Sequence, residues 1–286
     1  MTLRRRVLIT GAQGFTGRYL SALFQRLGDD VFALQADIRD LTVLMAEVKA
    51  INPTHIVHLA GISFTLDGKD INIYHVHLMG SENLLKACLV IKHNLQKIIL
   101  VSTCHVYGLE HGDLPLVEQA TPAPRTHYAI SKFAMECIAE SYRNDLPLLI
   151  TRPFNYSGQA QEGRFLIPKL VRHFQERLPE IELGNLDIAR DFSDVRWVAQ
   201  IYHALLDSEY EGVVNLCSGR AISIRYILDY LRKRSGHYLQ VRQTNDLIRK
   251  ECLLQVGDRK RLDDWVGIAP YPFESTLDWM LFGAKV

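Results

Sequence analysis

The sequence predicts an α/β protein built on a doubly wound parallel sheet. Short apolar runs, which are typical of buried strands, alternate along roughly the first half of the chain with segments whose apolar residues recur every three to four positions, as in helices. A glycine-rich turn joins the first strand to the first helix. Because strands that alternate with helices pair in parallel and carry helices on both faces, this order favours the doubly wound class.

The glycine turn between the first strand and the first helix is a candidate site for binding a dinucleotide. The apolar run Val7–Ile9 leads into Gly11, Gly14 and Gly17, and the apolar face of Leu20–Leu27 follows as a helix. Glycines let the backbone approach a pyrophosphate, and the helix N-terminus offers free N–H groups to it. The same turn could merely connect a strand to a helix, so the motif gains its meaning from the elements downstream.

The second strand, Val31–Leu34, ends without the acid that normally binds the adenosine ribose. Gln35 stands at that position, and the nearest acid is Asp37. Asp40 can cap the next helix, which stops before Pro53. The sequence therefore leaves the choice between NAD and NADP open, and Arg39 is the one candidate partner for a 2′-phosphate.

Two further strands place small and polar residues at their C-terminal ends. His55–Leu59 runs into Ala60-Gly61, and Lys97–Val101 runs into Thr103. Ligands of such sheets bind beyond the C-terminal strand ends, where these residues join the first glycine turn.

Tyr128 and Lys132 are a candidate acid/base pair. They stand at i and i+4 of a helix predicted over His127–Arg143, so their side chains share a face. A nearby ammonium favours the phenolate, and we expect it to lower the tyrosine pKa from about 10. Thr103 could supply a second hydrogen bond to the same reacting oxygen. In isolation, a surface Tyr–Lys pair would be the simpler interpretation.

Composition excludes several classes of protein. The chain has 286 residues, 48% of them hydrophobic, and a formal net charge of +1, which gives no sign of attraction to nucleic acid or membranes. No stretch approaches the roughly 20 apolar residues of a membrane span, and Arg4–Arg6 precede too few apolar residues for a signal peptide. The cysteines are odd in number and scattered, which favours reduced thiols in the cytoplasm over a metal site: Cys88, Cys104, Cys137, Cys217 and Cys252.

Several specific sequence motifs are distributed over nearly the whole chain. They are the Gly11/Gly14/Gly17 turn, Asp37-Ile38, His58–Gly61, Ser102-Thr103 followed by Val106–Gly108, Tyr128 with Lys132, Arg152–Asn155 and Arg190–Val195. Together they resemble the extended short-chain dehydrogenase/reductases, the nucleotide-sugar epimerase/dehydratase family. Beside this set, the interpretation of Tyr128 and Lys132 as a surface pair becomes untenable.

The resemblance implies a Rossmann-like sheet with a smaller C-terminal substrate-binding domain. The dinucleotide-binding domain would comprise residues 1–152 with about 190–217, and the nucleotide-sugar-binding domain residues 153–189 and 218–286. It also implies a homodimer, NAD or NADP as cofactor and a nucleotide-sugar substrate.

The resemblance also assigns roles to residues. The catalytic positions are Thr103, which would hold the reacting sugar oxygen, Tyr128 as acid/base and Lys132, which would hold the nicotinamide ribose and lower the tyrosine pKa. The cofactor positions are Gly11, Gln13, Gly14, Phe15, Gly17, Asp37, Ile38, Leu59, Ala60, Gly61, Val101, Tyr128, Lys132 and Pro153. The substrate positions are Ser63, Thr103, His105, Asn155, Arg190 and Arg249.

The residues directly after Thr103 distinguish between the reactions that members of the family catalyse. Dehydratases carry a carboxyl group there, whereas this chain has Cys104 and His105; His77 also replaces a usual asparagine. The motifs around Arg152 and Arg190 most resemble those of GDP-6-deoxy-4-keto-mannose reductases. We therefore expect NAD(P)H-dependent reduction of the 4-keto group of a 4-keto-6-deoxy nucleotide sugar, GDP-linked. A 4-epimerase or 4,6-dehydratase is the alternative, and a non-catalytic cofactor-sensing protein a remote one.

Overall fold

A computed structural model describes residues 4–63, 71–108, 115–244 and 253–283. The strands are β1 (Arg6–Thr10), β2 (Asp30–Ala33), β3 (His55–His58), β4 (Lys97–Val101), β5 (Leu148–Pro153), β6 (Asn155–Ser157), β7 (Glu180–Leu183), β8 (Ala189–Asp194), β9 (Gly212–Leu216), β10 (Ala221–Ser223), β11 (Gln240–Gln243) and β12 (Leu254–Gln255). The α-helices are α1 (Phe15–Arg26), α2 (Leu41–Ile51), α3 (Asn72–Tyr74), α4 (Ser81–Val90), α5 (His127–Glu140), α6 (Leu166–Gln175), α7 (Val195–Leu206), α8 (Ile224–Ser235), α9 (Lys260–Trp265) and α10 (Phe273–Phe282). A π-helical segment, His75–Gly80, links α3 to α4, and a 3₁₀ turn spans Cys104–Tyr107.

The predicted parallel sheet is confirmed. Within the described residues, six strands pair in parallel in the order β2-β1-β3-β4-β5-β9. Alternate residues of β1 face opposite layers. Ile9 packs into the cluster formed with α1 and α7, and Leu8 into the cluster formed with α2, α4 and α5. Helices therefore cover both faces, as the doubly wound, Rossmann-like class requires.

The sheet ends at β2. In the described part of the chain, no strand pairs with the outer edge of β2, and residues 34–40 lead directly from it to α2. Asp40 begins that helix, because its carboxylate accepts hydrogen bonds from the N–H groups of Thr42 (3.0 Å) and Val43 (3.1 Å). Residues 35–39 are thus held at the C-terminal edge of the sheet.

A second, smaller sheet lies on the C-terminal side of the first. Its central strand β8 pairs with β6 and β12 in parallel and with β10 in antiparallel fashion. Helices α6, α8 and α10 pack on it around a separate core, in which the rings of Phe192 and Phe273 stack with centroids 5.2 Å apart. Asp194 joins the two parts, because its carboxylate caps α7 at Arg196 N (2.7 Å) and accepts from Thr276 Oγ1 (2.8 Å).

No helix within the described ranges is both long enough and apolar enough to cross a membrane.

Candidate active site

The glycine turn brings three backbone segments into contact. Gly11 has φ +68°, and a Cβ there would lie 2.9 Å from the backbone nitrogen of Ala60. A Cβ on Gly17 would collide with the Gly11 carbonyl oxygen. Gln13 and Gly14 are exposed at the start of α1, so this helix N-terminus is accessible to a ligand. Only glycine permits this packing, which leaves a backbone surface suited to a pyrophosphate.

A cavity of about 460 Å³ opens beside this turn. Its volume lies in the range of small-molecule sites. Four of the predicted cofactor positions line it: Gly11, Asp37, Ile38 and Ala60. The other lining residues are Leu34, Ala36, Arg39, Ile62, Asn72 and Val76. The buried side chain of Ile38 packs against Gly80, where a Cβ would lie 2.6 Å from its Cδ1. The cavity and the glycine turn together fit the adenosine and pyrophosphate of a dinucleotide.

Thr103 and Tyr128 meet at the end of β4. Thr103 caps the 3₁₀ turn, and its buried hydroxyl is close enough to the hydroxyl of Tyr128 to lower the pKa of that tyrosine. Tyr128 lies in the first turn of α5, which begins at the cap Thr126. The ring of His105 stands beside it, with centroids 6.1 Å apart. The structure thus brings together the predicted acid/base, the predicted oxygen-binding hydroxyl and the imidazole.

The expected lowering of the Tyr128 pKa by Lys132 is wrong for this structure. Burial raises the pKa of Tyr128, the nearby Tyr156 raises it further, and the Thr103 hydroxyl opposes the shift. Lys132 Nζ instead donates to the Val101 carbonyl oxygen at 2.8 Å. The sequence spacing gave the common helix face correctly, but it did not reveal how strongly the site excludes water.

Lys132 is itself buried and has a lowered pKa. Its side chain is 4% exposed, and burial lowers its pKa to about 8, an effect that the carboxylate of Glu136 opposes. A Cβ on Gly61 would lie 3.4 Å from its ammonium nitrogen. Lys132 therefore connects the end of β4 with the turn after β3, next to the glycine turn.

Sequence reasoning missed a hydrogen-bond network around His77. The ring is fully buried; its Nε2 accepts from Ile62 N (2.9 Å), so its Nδ1 donates to Ser131 Oγ (2.8 Å), which donates to the Tyr128 carbonyl oxygen (2.9 Å). Burial and the ammonium of Lys132 lower the pKa of His77 to about 2. The neutral ring thus ties the turn after β3 to the helix that carries Tyr128.

A second histidine fixes the other side of that turn. Ser81 Oγ donates to the His77 carbonyl oxygen, so it accepts from His58 Nε2 (2.8 Å). Thr10 Oγ1 then donates to His58 Nδ1 (2.7 Å) and accepts from Ala60 N (2.9 Å). The sequence signal that could have indicated this network is the spacing of His77 and Ser81, which are four residues apart in one helical segment.

The predicted substrate residues are more widely spread. Asn155 donates to the Asp191 carbonyl oxygen (3.2 Å), and Arg190 donates to the Ala189 carbonyl oxygen (2.9 Å) from β8. Arg190 is close enough to the buried Cys104 to lower its pKa against the larger effect of burial. Ser63 is exposed after β3.

Phe15, Leu59 and Pro153 are predicted cofactor positions that lie on three different elements. Phe15 stacks on Tyr156 with centroids 6.2 Å apart, and the Tyr156 hydroxyl is 2.8 Å from Thr16 Oγ1. Leu59 lies in the turn after β3, and Pro153 ends β5. Arg249 lies outside the described residues.

Comparison with known proteins gives consistent results. The model of the NAD-dependent epimerase/dehydratase family matches residues 7–217. A GDP-6-deoxy-D-talose 4-dehydrogenase from Aggregatibacter actinomycetemcomitans is 34% identical over 271 residues, covering 92% of this chain and 91% of that protein. A GDP-6-deoxy-D-mannose reductase from Pseudomonas aeruginosa is 29% identical, covering 94% and 93%. The solved structure of RMD from P. aeruginosa complexed with NADPH has a TM-score of 0.88 at 27% identity, covering 99% of each chain.

Proposed function

The chain belongs to the NAD-dependent epimerase/dehydratase family, and on that premise we propose that it reduces the 4-keto group of a GDP-linked 4-keto-6-deoxy sugar. Both full-length relatives are named for redox chemistry on a GDP-linked 6-deoxyhexose. The observation that carries the proposal is the proximity of the Thr103 and Tyr128 hydroxyls beside Lys132. It places two hydroxyl groups where one carbonyl oxygen can contact both.

The residues present fit a nicotinamide cofactor, which the family uses as NAD or NADP. The glycine turn would hold the pyrophosphate, Asp37 and Ile38 would border the adenosine, and Lys132 would hold the nicotinamide ribose. When bound in reduced form, the cofactor supplies the hydride.

The protein side chains supply the proton. Tyr128 would donate its hydroxyl proton to the sugar oxygen while Thr103 holds that oxygen by a hydrogen bond. The raised pKa of Tyr128 keeps the phenol protonated at neutral pH, as a proton donor in a reduction requires. The network through His77 and Ser131 holds the backbone of Tyr128 against the cofactor side of the site.

The direct test is incubation with a panel of 4-keto-6-deoxy nucleotide sugars while NADH and NADPH are followed separately. We expect stoichiometric oxidation of the cofactor with a GDP-linked sugar. A 4-epimerase would use the same residues and recycle its cofactor, so turnover of the sugar without net cofactor consumption would overturn the proposal.

We predict that the chain does not catalyse 4,6-dehydration. That reaction needs groups that remove a proton from carbon 5 and assist loss of hydroxyl from carbon 6, and the residues after Thr103 are the thiol of Cys104 and the imidazole of His105. Burial raises the pKa of Cys104 to about 12, so this thiol is not a base at neutral pH. Mass spectrometry after incubation with GDP-mannose and NAD should show no loss of water. An 18-dalton loss that His105→Ala abolishes would contradict the reductase assignment.

Arg190→Ala should weaken binding of the nucleotide sugar and leave cofactor binding nearly unchanged. A charge-assisted hydrogen bond to an oxygen anion contributes about 1.5–3 kcal/mol, which corresponds to roughly a 10- to 150-fold loss of affinity. Calorimetric titration of both ligands measures it. Arg225→Ala, which removes an exposed arginine paired with Asp187, is the control. A loss confined to the dinucleotide would contradict the role of Arg190.

Cofactor affinity should fall as the pH rises through about 8, where Lys132 loses its proton. Because the pKa is 10.5 in the unfolded chain, the buried charge destabilises the fold below pH 8, and that cost disappears between pH 8 and 10.5. Lys132→Met should therefore remove the pH dependence of binding and raise the melting temperature at pH 7. Fluorescence titration and thermal denaturation measure the two effects; a pH-independent affinity in the wild type would contradict this role.

We also propose the domain division suggested by the motifs, with residues 1–152 and about 190–217 binding the dinucleotide and 153–189 and 218–286 the sugar. A homodimer in the cytoplasm remains part of the proposal. Sedimentation of the purified protein tests the dimer.

A further inference from the structure

The cavity beside the glycine turn carries information on which dinucleotide fits. One of its walls is the segment Ala36–Arg39, which lies in the connection from β2 to α2. In a fold of this class, the adenosine ribose lies at the end of the second strand. NAD and NADP differ at this place alone, where the first has a 2′-hydroxyl and the second a phosphate of nearly two negative charges.

Glu47 occupies the backbone donors at the end of β2. Its two carboxylate oxygens accept from Gln35 N (2.8 Å) and Ala36 N (2.6 Å). Consecutive N–H groups that point to one side are a good site for an anion. Here a carboxylate of the chain already fills it, so a phosphate would have to displace Glu47 and then lie next to its charge.

Arg39 is also engaged by a carboxylate. Asp37 Oδ1 accepts from Arg39 N (2.9 Å) and from Arg39 Nε (2.9 Å), and the guanidinium also contacts the second oxygen. Asn83 Nδ2 holds this turn by donating to the Ile38 carbonyl oxygen (3.1 Å). Of the described residues that line the cavity, Arg39 is the one with a basic side chain.

The local charge therefore opposes a phosphate. Among the described residues that lie in residues 34–40 or hydrogen-bond to them, the three carboxylates of Asp37, Asp40 and Glu47 stand against the one guanidinium of Arg39, which leaves about two net negative charges. A 2′-hydroxyl can donate a hydrogen bond to a carboxylate, whereas a 2′-phosphate has only acceptors at neutral pH and is repelled.

We propose that the chain selects NADH over NADPH, with Glu47 and Asp37 as the specificity-determining residues. The inference rests on the proposed function only in taking the cavity as the adenosine site, and it does not depend on which sugar is reduced.

Direct titration of each dinucleotide against the full chain, without sugar, tests the preference. At low salt we expect NADH to bind at least about 10-fold more tightly than NADPH, and added salt should narrow the ratio because it screens charge. Glu47→Gln and Asp37→Asn should each reduce the ratio about five-fold, chiefly by strengthening NADPH binding. Glu176→Gln removes an exposed carboxylate directly after α6 and should leave the ratio unchanged.

Equal affinities, or tighter NADPH binding by the wild type, would overturn the proposal. So would a ratio that neither Glu47→Gln nor Asp37→Asn alters, with folding of each variant checked by its melting temperature. Arg39→Ala adds an independent reading: a selective loss of NADPH affinity would show that Arg39 serves a 2′-phosphate and would contradict the inference. If neither dinucleotide binds, the proposed function itself fails, so the two failures are distinguishable.

Discussion

Tyr128→Phe should lower the rate of sugar reduction by about 10²- to 10⁴-fold, because the variant lacks the hydroxyl that delivers the proton. The phenyl ring keeps the packing of the tyrosine ring, so we expect the cofactor to bind with nearly unchanged affinity. Single-turnover kinetics with a 4-keto sugar measure the rate, and fluorescence titration measures the binding. The loss should appear in kcat and in kcat/KM alike, since the missing bond acts in the transition state.

Tyr202→Phe is the matched control. Tyr202, on α7, is a fully buried tyrosine whose hydroxyl forms a hydrogen bond of 3.1 Å with Thr151 Oγ1 of β5. Its loss should change stability slightly and the chemical step not at all. A Tyr128→Phe enzyme that reduces the sugar at a near-normal rate would exclude Tyr128 as the proton donor.

The second prediction with a large effect concerns stability, and it involves Glu136, which lies one helix turn beyond Lys132. Arg152 and Glu136 form an ion pair in which both residues are about 95% buried, with Nε–Oε1 and Nη2–Oε2 distances of 3.0 and 2.6 Å. Ser102 also donates to this carboxylate. Arg152→Met should lower the free energy of unfolding by about 3–5 kcal/mol, because it removes the ion-pair partner of the buried Glu136 carboxylate.

Urea denaturation of Arg152→Met beside the double variant Glu136→Gln/Arg152→Met separates charge from packing. If the unpaired carboxylate is the cause, the double variant should recover much of the lost stability. Equal destabilisation of both variants would show that lost packing against Tyr107, whose ring lies 4.8 Å from the guanidinium, is responsible instead.

The sequence predicted what depends on short separations along the chain. The first strand, the glycine turn and α1 follow from local pattern, and the i, i+4 spacing of Tyr128 and Lys132 follows from helix geometry. The partners of His77 could not be predicted, because Ile62 and Ser131 lie 15 and 54 residues away and meet it only in the folded chain. The direction of the Tyr128 pKa shift was predicted wrongly for a related reason, since desolvation depends on every element around the ring.

The strand order also affects how the protein is made. Strands β1 to β5 are synthesised in succession, and each can join the sheet as it leaves the ribosome. Strand β9, the partner of β5, comes only after β6, α6, β7, β8 and α7. The nascent chain therefore passes through a stage in which the edge of β5 that faces β9 is unpaired. At a synthesis rate of about 5–20 residues per second, the roughly 60 residues between β5 and β9 make this stage last about 3–12 s. During those seconds an apolar edge is open to other nascent chains, and chaperone binding at β5 would protect the yield.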